Sequence, residues 1–242
     1  MFDGALSSKK VIRCGVPQGS ILGPLLFLLY INDLAGVSKL FLTILFADDT
    51  NLFCTGKDII KLMEDINLEL SKIFSWLNAN KLSLNIDKTN FMLFCRKNVS
   101  NVNIEIKING ICIKKVEHAK FLGVIIDHKL NWDHHIKYIK QKVAKGIGII
   151  IKARKTFNKE TLTTLYHTMI LPYLSYCIHV WGTASHIRIH GLFYFKRKLY
   201  ELSVVFRQKP ILCHFLRRLE FSTLPNFISI RLDYLCINLV IC

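Results

Sequence analysis

The sequence predicts an α+β chain, with antiparallel strands and helices over residues 1–130 and a basic helical part after them. Three observations carry that reading. Short runs rich in Phe, Leu and Ile are broken by tight turns, among them Asn109-Gly110, the strongest two-residue hairpin signal. Between those runs, Ile59, Leu62, Ile66, Leu70, Ile73 and Leu77 recur at helical spacing. From Trp132 onward the periodicity turns helical, and basic residues gather on one side of it.

Taken in order, Ser20–Leu34 reads as a helix with Ser20 as N-cap and Pro24 in its first turn. Leu25–Tyr30 is apolar all round, and a helix hydrophobic on every side is expected to be buried. Lys39–Ala47 and Thr50–Cys54 read as strands, which puts Asp48-Asp49 at a hairpin tip. Asp58 is a plausible N-cap for the helix running to Ala79. Leu82, Leu84 and Ile86 alternate as in a strand, and Phe91–Cys95 reads as another. Ile104–Ile108 and Ile111–Ile113 flank the Asn-Gly turn, and Phe121–Ile126 continues the strand-rich part.

Of the 242 residues, 51% are hydrophobic, which excludes a disordered chain. The net charge is +16, and a balance that basic points to a polyanion such as nucleic acid or to a membrane surface. No apolar run approaches the roughly 20 residues of a membrane span, and no secretory signal pattern is seen, so an intracellular protein is expected, in nucleus or cytoplasm. The charge is uneven: residues 1–130 carry 16 Lys+Arg to 12 Asp+Glu, and residues 131–242 carry 17 to 5. On one helix at about 100° per residue, Ile136, Ile139, Val143, Ile147 and Ile150 share one arc, and Lys137, Lys145, Lys152, Lys155 and Lys159 another. Such a basic face is either solvated or grips phosphates. The eight cysteines are scattered without zinc spacing and read as reduced, mostly buried hydrophobes. His134-His135 near Asp127 and Asp133, and the pair His186 and His190, are set aside as metal sites.

Two adjacent carboxylates suit a two-residue turn poorly, because like charges repel and Asn-Gly or Asp-Gly would fit better. Asp48-Asp49 is either a solvated turn or a seat for a divalent cation, since Mg²⁺ is commonly held by one or two carboxylates plus substrate phosphates.

The ordered set of motifs decides between these. Gly15-Val16-Pro17-Gln18-Gly19-Ser20-Ile21-Leu22-Gly23-Pro24-Leu25-Leu26-Phe27 is followed by Tyr30-Ile31-Asn32-Asp33-Leu34 and Phe46-Ala47-Asp48-Asp49-Thr50. Then come Lys81-Leu82-Ser83-Leu84-Asn85 with Lys88-Thr89, Lys120-Phe121-Leu122-Gly123-Val124, and Tyr166 through Pro172-Tyr173-Leu174 to Val180-Trp181-Gly182. This series, over about three quarters of the chain, resembles the reverse transcriptases of non-LTR (LINE-type, jockey-like) retrotransposons.

The resemblance implies a partial right-hand polymerase. Residues 1–130 would be the C-terminal part of the palm, an antiparallel sheet with helices. Residues 131–184 would be a helical thumb, and 185–242 a basic helical region of blurred match. Asp48 and Asp49 would hold catalytic Mg²⁺ or Mn²⁺, and Lys88 would donate a proton to pyrophosphate. Pro17, Gln18, Gly19, Phe46 and Ala47 would shape the nucleotide and template pocket, and Phe121, Leu122 and Gly123 the primer grip. Lys137, Lys145, Lys152 and Lys155 would follow the backbone of the RNA template–DNA primer duplex. Deoxynucleoside triphosphates would be the substrates. Taken singly, these residues also read as an ordinary turn, a surface lysine and plain core.

Phe46 stands where the family has Tyr and loses a hydroxyl. Asp3 lies too close to Gly-Val-Pro-Gln-Gly to match the family's first catalytic Asp, so that Asp and the fingers are expected to be missing. The expectation is therefore a reverse transcriptase fragment inactive by itself, exposing parts of Ile21–Ile31. The alternative is a noncatalytic nucleic-acid-binding remnant or an unstable pseudogene product.

Overall fold

The computed structural model of the chain describes residues 15–16, 19–94, 105–184, 192 and 234–240. They form two compact units. One holds the described residues up to Phe91, those of 105–114 and the end of the last strand; the other holds 92–94, all of 115–184, residue 192 and the start of that strand.

In the first unit, helix α1 (Leu22–Ile31) runs into a 3₁₀ turn (Asn32–Gly36). Ser20 Oγ accepts from the Gly23 amide at 3.1 Å, so the hydroxyl satisfies a first-turn donor from one residue before the N-cap position, Ile21. The expectation that an all-apolar α1 is buried on every side is corrected, whereas the exposure expected for parts of Ile21–Ile31 is found. Only Ile31 is buried, while Leu22, Leu25 and Leu29 are more than half exposed. Apolarity states which surface would gain from burial; among the described residues nothing covers it.

Strands β1 (Leu42–Phe46) and β2 (Asp49–Thr55) pair antiparallel, and helix α2 (Ile59–Ala79) follows. Asp58 caps α2 by accepting from the Ile60 amide at 2.9 Å. Leu62, Ile66, Leu70, Ile73 and Leu77 of α2 are all buried, at about 1.5–3 kcal/mol each. The alternation at Leu82–Ile86 produces only an isolated bridge at Leu84, because the chain turns over Asn85–Thr89 before a strand can extend. Strand β3 (Asn90–Phe94) then forms.

Strands β4 (Lys107–Ile108) and β5 (Ile111–Cys112) pair around Asn109 and Gly110, both with positive φ, the signature of a type I′ turn. Asn67 of α2 ties this hairpin down by accepting from the Lys107 amide at 2.8 Å. With the short β6 (Lys114–Lys115) and a last strand, which we label β9 (Tyr234–Val240), the sheet order is β1-β2-β9-β3-β6. That last strand corrects the expectation of helix throughout 185–242; the rest of that region lies outside the described residues, apart from Leu192.

The second unit opens with β7 (His118–Phe121) and β8 (Val124–Asp127), an antiparallel pair in which Phe121 opposes Val124. Phe121–Ile126, expected to continue the strand-rich part, is thus broken by a turn at Leu122-Gly123. Four helices follow: α3 (Asp133–Ala153), α4 (Lys159–Met169), α5 (Leu171–Ser175) and α6 (Ile178–Trp181). The Asp127 carboxylate accepts from the amides of Lys129, Asn131 and Trp132 at 2.7–3.1 Å and so fixes the entry to α3. Ile136, Ile139, Val143, Ile147 and Ile150 are buried as their spacing predicts, against Leu162, Ile170, Leu174 and Trp181. Cys54 is buried, whereas Cys177 is half-buried and Cys112 exposed, so burial of the thiols is only partly as expected. No helix among the described residues is long and apolar enough to cross a membrane.

Candidate functional site

The β1–β2 hairpin places the acidic pair. Its register sets Leu45 opposite Thr50 and Phe46 opposite Asp49, so the two turn residues are Ala47 and Asp48. This corrects the expected tip: Asp48 stands in the turn, and Asp49 is the first residue of β2. Ala47 has φ 51°, a left-handed backbone that costs a non-glycine residue about 1–2 kcal/mol. Strain of that kind persists only where surrounding structure enforces it. Here the enforcing structure is the β1–β2 ladder, with Leu52 and Cys54 of β2 buried beneath it.

Asp48 is exposed, Asp49 half-buried and Phe46 58% exposed, so carboxylates and ring project at one edge of the hairpin. Among the described residues no Lys, Arg or His pairs with either carboxylate. Two adjacent hard oxygen donors without a competing cation fit a Mg²⁺ or Mn²⁺ ion, which takes its remaining ligands from water and substrate phosphates. No cluster of three or more candidate metal ligands occurs among the described residues.

Lys88 is exposed on a compact turn. Its amide donates to Asn85 Oδ1 at 3.2 Å, and the buried Thr89 hydroxyl donates to the Asn85 carbonyl at 2.8 Å. Asn85 therefore organises this lysine's backbone while its ammonium remains free of ion pairs among the described residues. No ion pair joins Lys88 to Asp48 or Asp49. Gly19 has φ 84°, a conformation glycine adopts without cost, whereas Pro17 and Gln18 lie outside the described residues.

In the second unit, Phe121 closes β7, and Leu122 and Gly123 form the turn of the β7–β8 hairpin. Leu122 and Gly123 have φ 44° and 88°. The Tyr176 hydroxyl donates to the Leu122 carbonyl at 2.6 Å, and a Cβ at position 123 would stand 3.2 Å from the Tyr176 ring. Tyr176 thus positions the tip, a role that no local spacing in the sequence signals.

Lys137, Lys145 and Lys152 are exposed along α3. Lys155 is exposed too, but α3 ends at Ala153, so it sits in the following turn and Lys159 opens α4. The single helical arc expected for all five is corrected accordingly, since Arg154–Phe157 turns the chain. None of the four exposed lysines forms an ion pair among the described residues.

A strained acidic turn on an antiparallel sheet, together with a helical unit bearing unpaired lysines, is an arrangement suited to phosphate chemistry on a polyanion. Residues 1–126 match the reverse transcriptase (RNA-dependent DNA polymerase) family, and the chain belongs to that family. Among its relatives is the RNA-directed DNA polymerase from mobile element jockey of Drosophila melanogaster, 28% identical over 76% of this chain and 21% of the relative. The probable RNA-directed DNA polymerase from transposon X-element of the same fly is 28% identical over 77% of this chain and 21% of its own length. A Pol polyprotein from the type-1 retrotransposable element R1 2 of Nasonia vitripennis is 28% identical over 69% of this chain and 43% of its own. The chain spans about a fifth of the length of the first relatives it matches. No solved structure matches at a significant level.

Proposed function

We propose that this chain supplies the acidic turn, primer-end contacts and duplex-binding helices of an RNA-directed DNA polymerase. The observation that carries this reading is the Phe46-Ala47-Asp48-Asp49 hairpin, with its left-handed Ala47, its exposed Asp48 and half-buried Asp49, and no ion pair to either carboxylate among the described residues. The first unit then serves as the later part of a palm and α3–α6 as a thumb. Asp48 and Asp49 hold the divalent metal. Divalent metal held there would supply stabilisation of the negative charge that develops in nucleotidyl transfer. Gly19, Phe46 and Ala47, with Pro17 and Gln18, shape the pocket for nucleotide and template. Lys88 holds a proton for the pyrophosphate leaving group. Phe121, Leu122 and Gly123, braced by Tyr176, position the primer strand. Lys137, Lys145, Lys152 and Lys155 bind the phosphates of an RNA–DNA duplex, and the substrates are deoxynucleoside triphosphates.

The described residues bring two carboxylates together and no third ligand. Phosphoryl transfer depends on positioning and charge stabilisation. On this proposal the 242-residue chain by itself binds primer–template without extending it. The test is primer extension on an RNA template with Mg²⁺ or Mn²⁺, using this chain and a polymerase that carries the segment within a complete palm. In the latter, Asp48→Asn should lower extension by several orders of magnitude with duplex binding retained, each ~1.4 kcal/mol of lost stabilisation being tenfold. Full activity in that variant would refute the assignment. Asp48-dependent extension by the 242-residue chain alone would refute its predicted inactivity.

A further inference from the structure

Beside the β7–β8 hairpin, wholly within the second unit, lies an open cleft of about 350 Å³. Its walls include Lys120, His135, Tyr138, Thr168, Tyr173 and Tyr176. That volume is at the small end for a ligand site and suits a planar group of one or two rings rather than a helix or a strand. The Tyr138 and Tyr173 rings meet edge to face, 6.3 Å apart at 75°, so a flat occupant can lie against one ring and abut the other.

Two further features say what the occupant carries. Lys142 Nζ stands 5.6 and 5.8 Å from the centres of the Tyr138 and Tyr173 rings, and Lys120 is exposed on β7, so positive charge borders the aromatic walls. Among the described groups facing the cleft none is acidic. His135 is 3% exposed; its Nδ1 accepts from the Ile125 amide at 3.3 Å, and its Nε2 is buried without a hydrogen-bond partner. An Nδ1 that accepts leaves the proton on Nε2, a donor lacking an acceptor. Burial also pushes the His135 pKa down, which keeps the ring neutral near pH 7.

We propose that this cleft takes one unstacked base of a single-stranded nucleic acid, stacked on a tyrosine ring beside His135, with its phosphate near Lys120 and Lys142. Aromatic platforms bordered by lysines are how proteins hold single strands without reading sequence, because every base offers a π-face. The inference rests on the nucleic-acid reading above and adds to it a site for an unpaired nucleotide, separate from the exposed lysine face of α3.

The test measures binding of the 242-residue chain to a ten-nucleotide oligo(dT) and to a blunt RNA–DNA duplex, each with wild type and Tyr173→Leu. The substitution keeps apolar bulk and removes the ring. Expected are about tenfold weaker oligo(dT) binding and unchanged duplex binding. In ¹⁵N-histidine spectra, saturating oligo(dT) should shift the His135 Nε2 resonance of the wild-type protein. Binding of both probes by wild type with no selective loss in Tyr173→Leu would overturn the cleft assignment while leaving the nucleic-acid reading intact. So would an unmoved His135 signal at saturation. Failure of wild type to bind either probe would overturn both.

Discussion

The Tyr176 hydroxyl donates to the Leu122 carbonyl across 54 residues of sequence, joining the end of α5 to the tip of the β7–β8 hairpin. Leu122 is held in a left-handed backbone there, and the bond satisfies a carbonyl that the turn directs away from the ladder. Tyr176→Phe should keep the ring against Gly123 and lose the bond. Hydrogen exchange at the tip, residues 121–124, should then accelerate several-fold, while exchange at Val143 in α3 stays unchanged. Unaltered exchange at the tip would show that the ring alone braces it.

Two glycines of α3 give opposite expectations. A Cβ at Gly146 would lie 2.8 Å from Ile170 Cγ1 and 3.2 Å from the Met169 carbonyl, where α3 and the end of α4 approach closely. Gly146→Ala should therefore destabilise the second unit by about 1–3 kcal/mol despite alanine's better helix propensity. At Gly148 the space is open, and Gly148→Ala should stabilise by about 0.5–1 kcal/mol. Urea unfolding of both variants, followed by circular dichroism, checks the difference in sign.

The exposed lysines of α3 predict a salt dependence. Each phosphate neutralised adds about 0.9 to the slope of log affinity against log salt on duplex DNA. Lys137→Gln with Lys145→Gln should lower the slope by about 1–2 on an RNA–DNA duplex without altering sequence preference. Fluorescence anisotropy between 50 and 200 mM salt (roughly the useful range) measures it; an unchanged slope would return these lysines to a merely solvated face.

His135 predicts a pH effect. Burial holds its folded-state pKa below the ordinary value of 6.5. The unfolded chain then binds more protons in the window between the two values. Stability should consequently fall as pH drops through about 6.5 and level off below the folded-state pKa. The urea midpoint should decline from pH 7 to pH 5 (about one to two units around that value), and His135→Gln should flatten the decline. Equal pH dependence in the variant would assign the effect to other groups.

Much of the architecture was legible in the chain. Asp58 and the apolar series from Leu62 to Leu77 specified α2 and its buried face, because a cap and a 3.6-residue period act locally. Asn109-Gly110 specified its turn, since both residues tolerate positive φ. The turn at Leu122-Gly123 has no such local signal, because leucine does not announce a left-handed conformation that a distant tyrosine stabilises. The acidic pair was found by motif, but its placement was off by one residue, since only cross-strand pairing decides which of two adjacent aspartates turns.

The sequence by itself determined the family, the helical and hairpin segments with strong local signals, the uneven charge and the acidic pair. These follow from composition, periodicity and motif order, which need no long-range contact. Tertiary structure alone decided that Asp48 occupies a strained turn, that Asp127 accepts from three backbone amides, and that His135 keeps an unpartnered donor beside three tyrosines. Each depends on what a distant segment places against the residue. Burial, strain and hydrogen-bond satisfaction are properties of pairs of surfaces, and a local pattern specifies only one member of each pair.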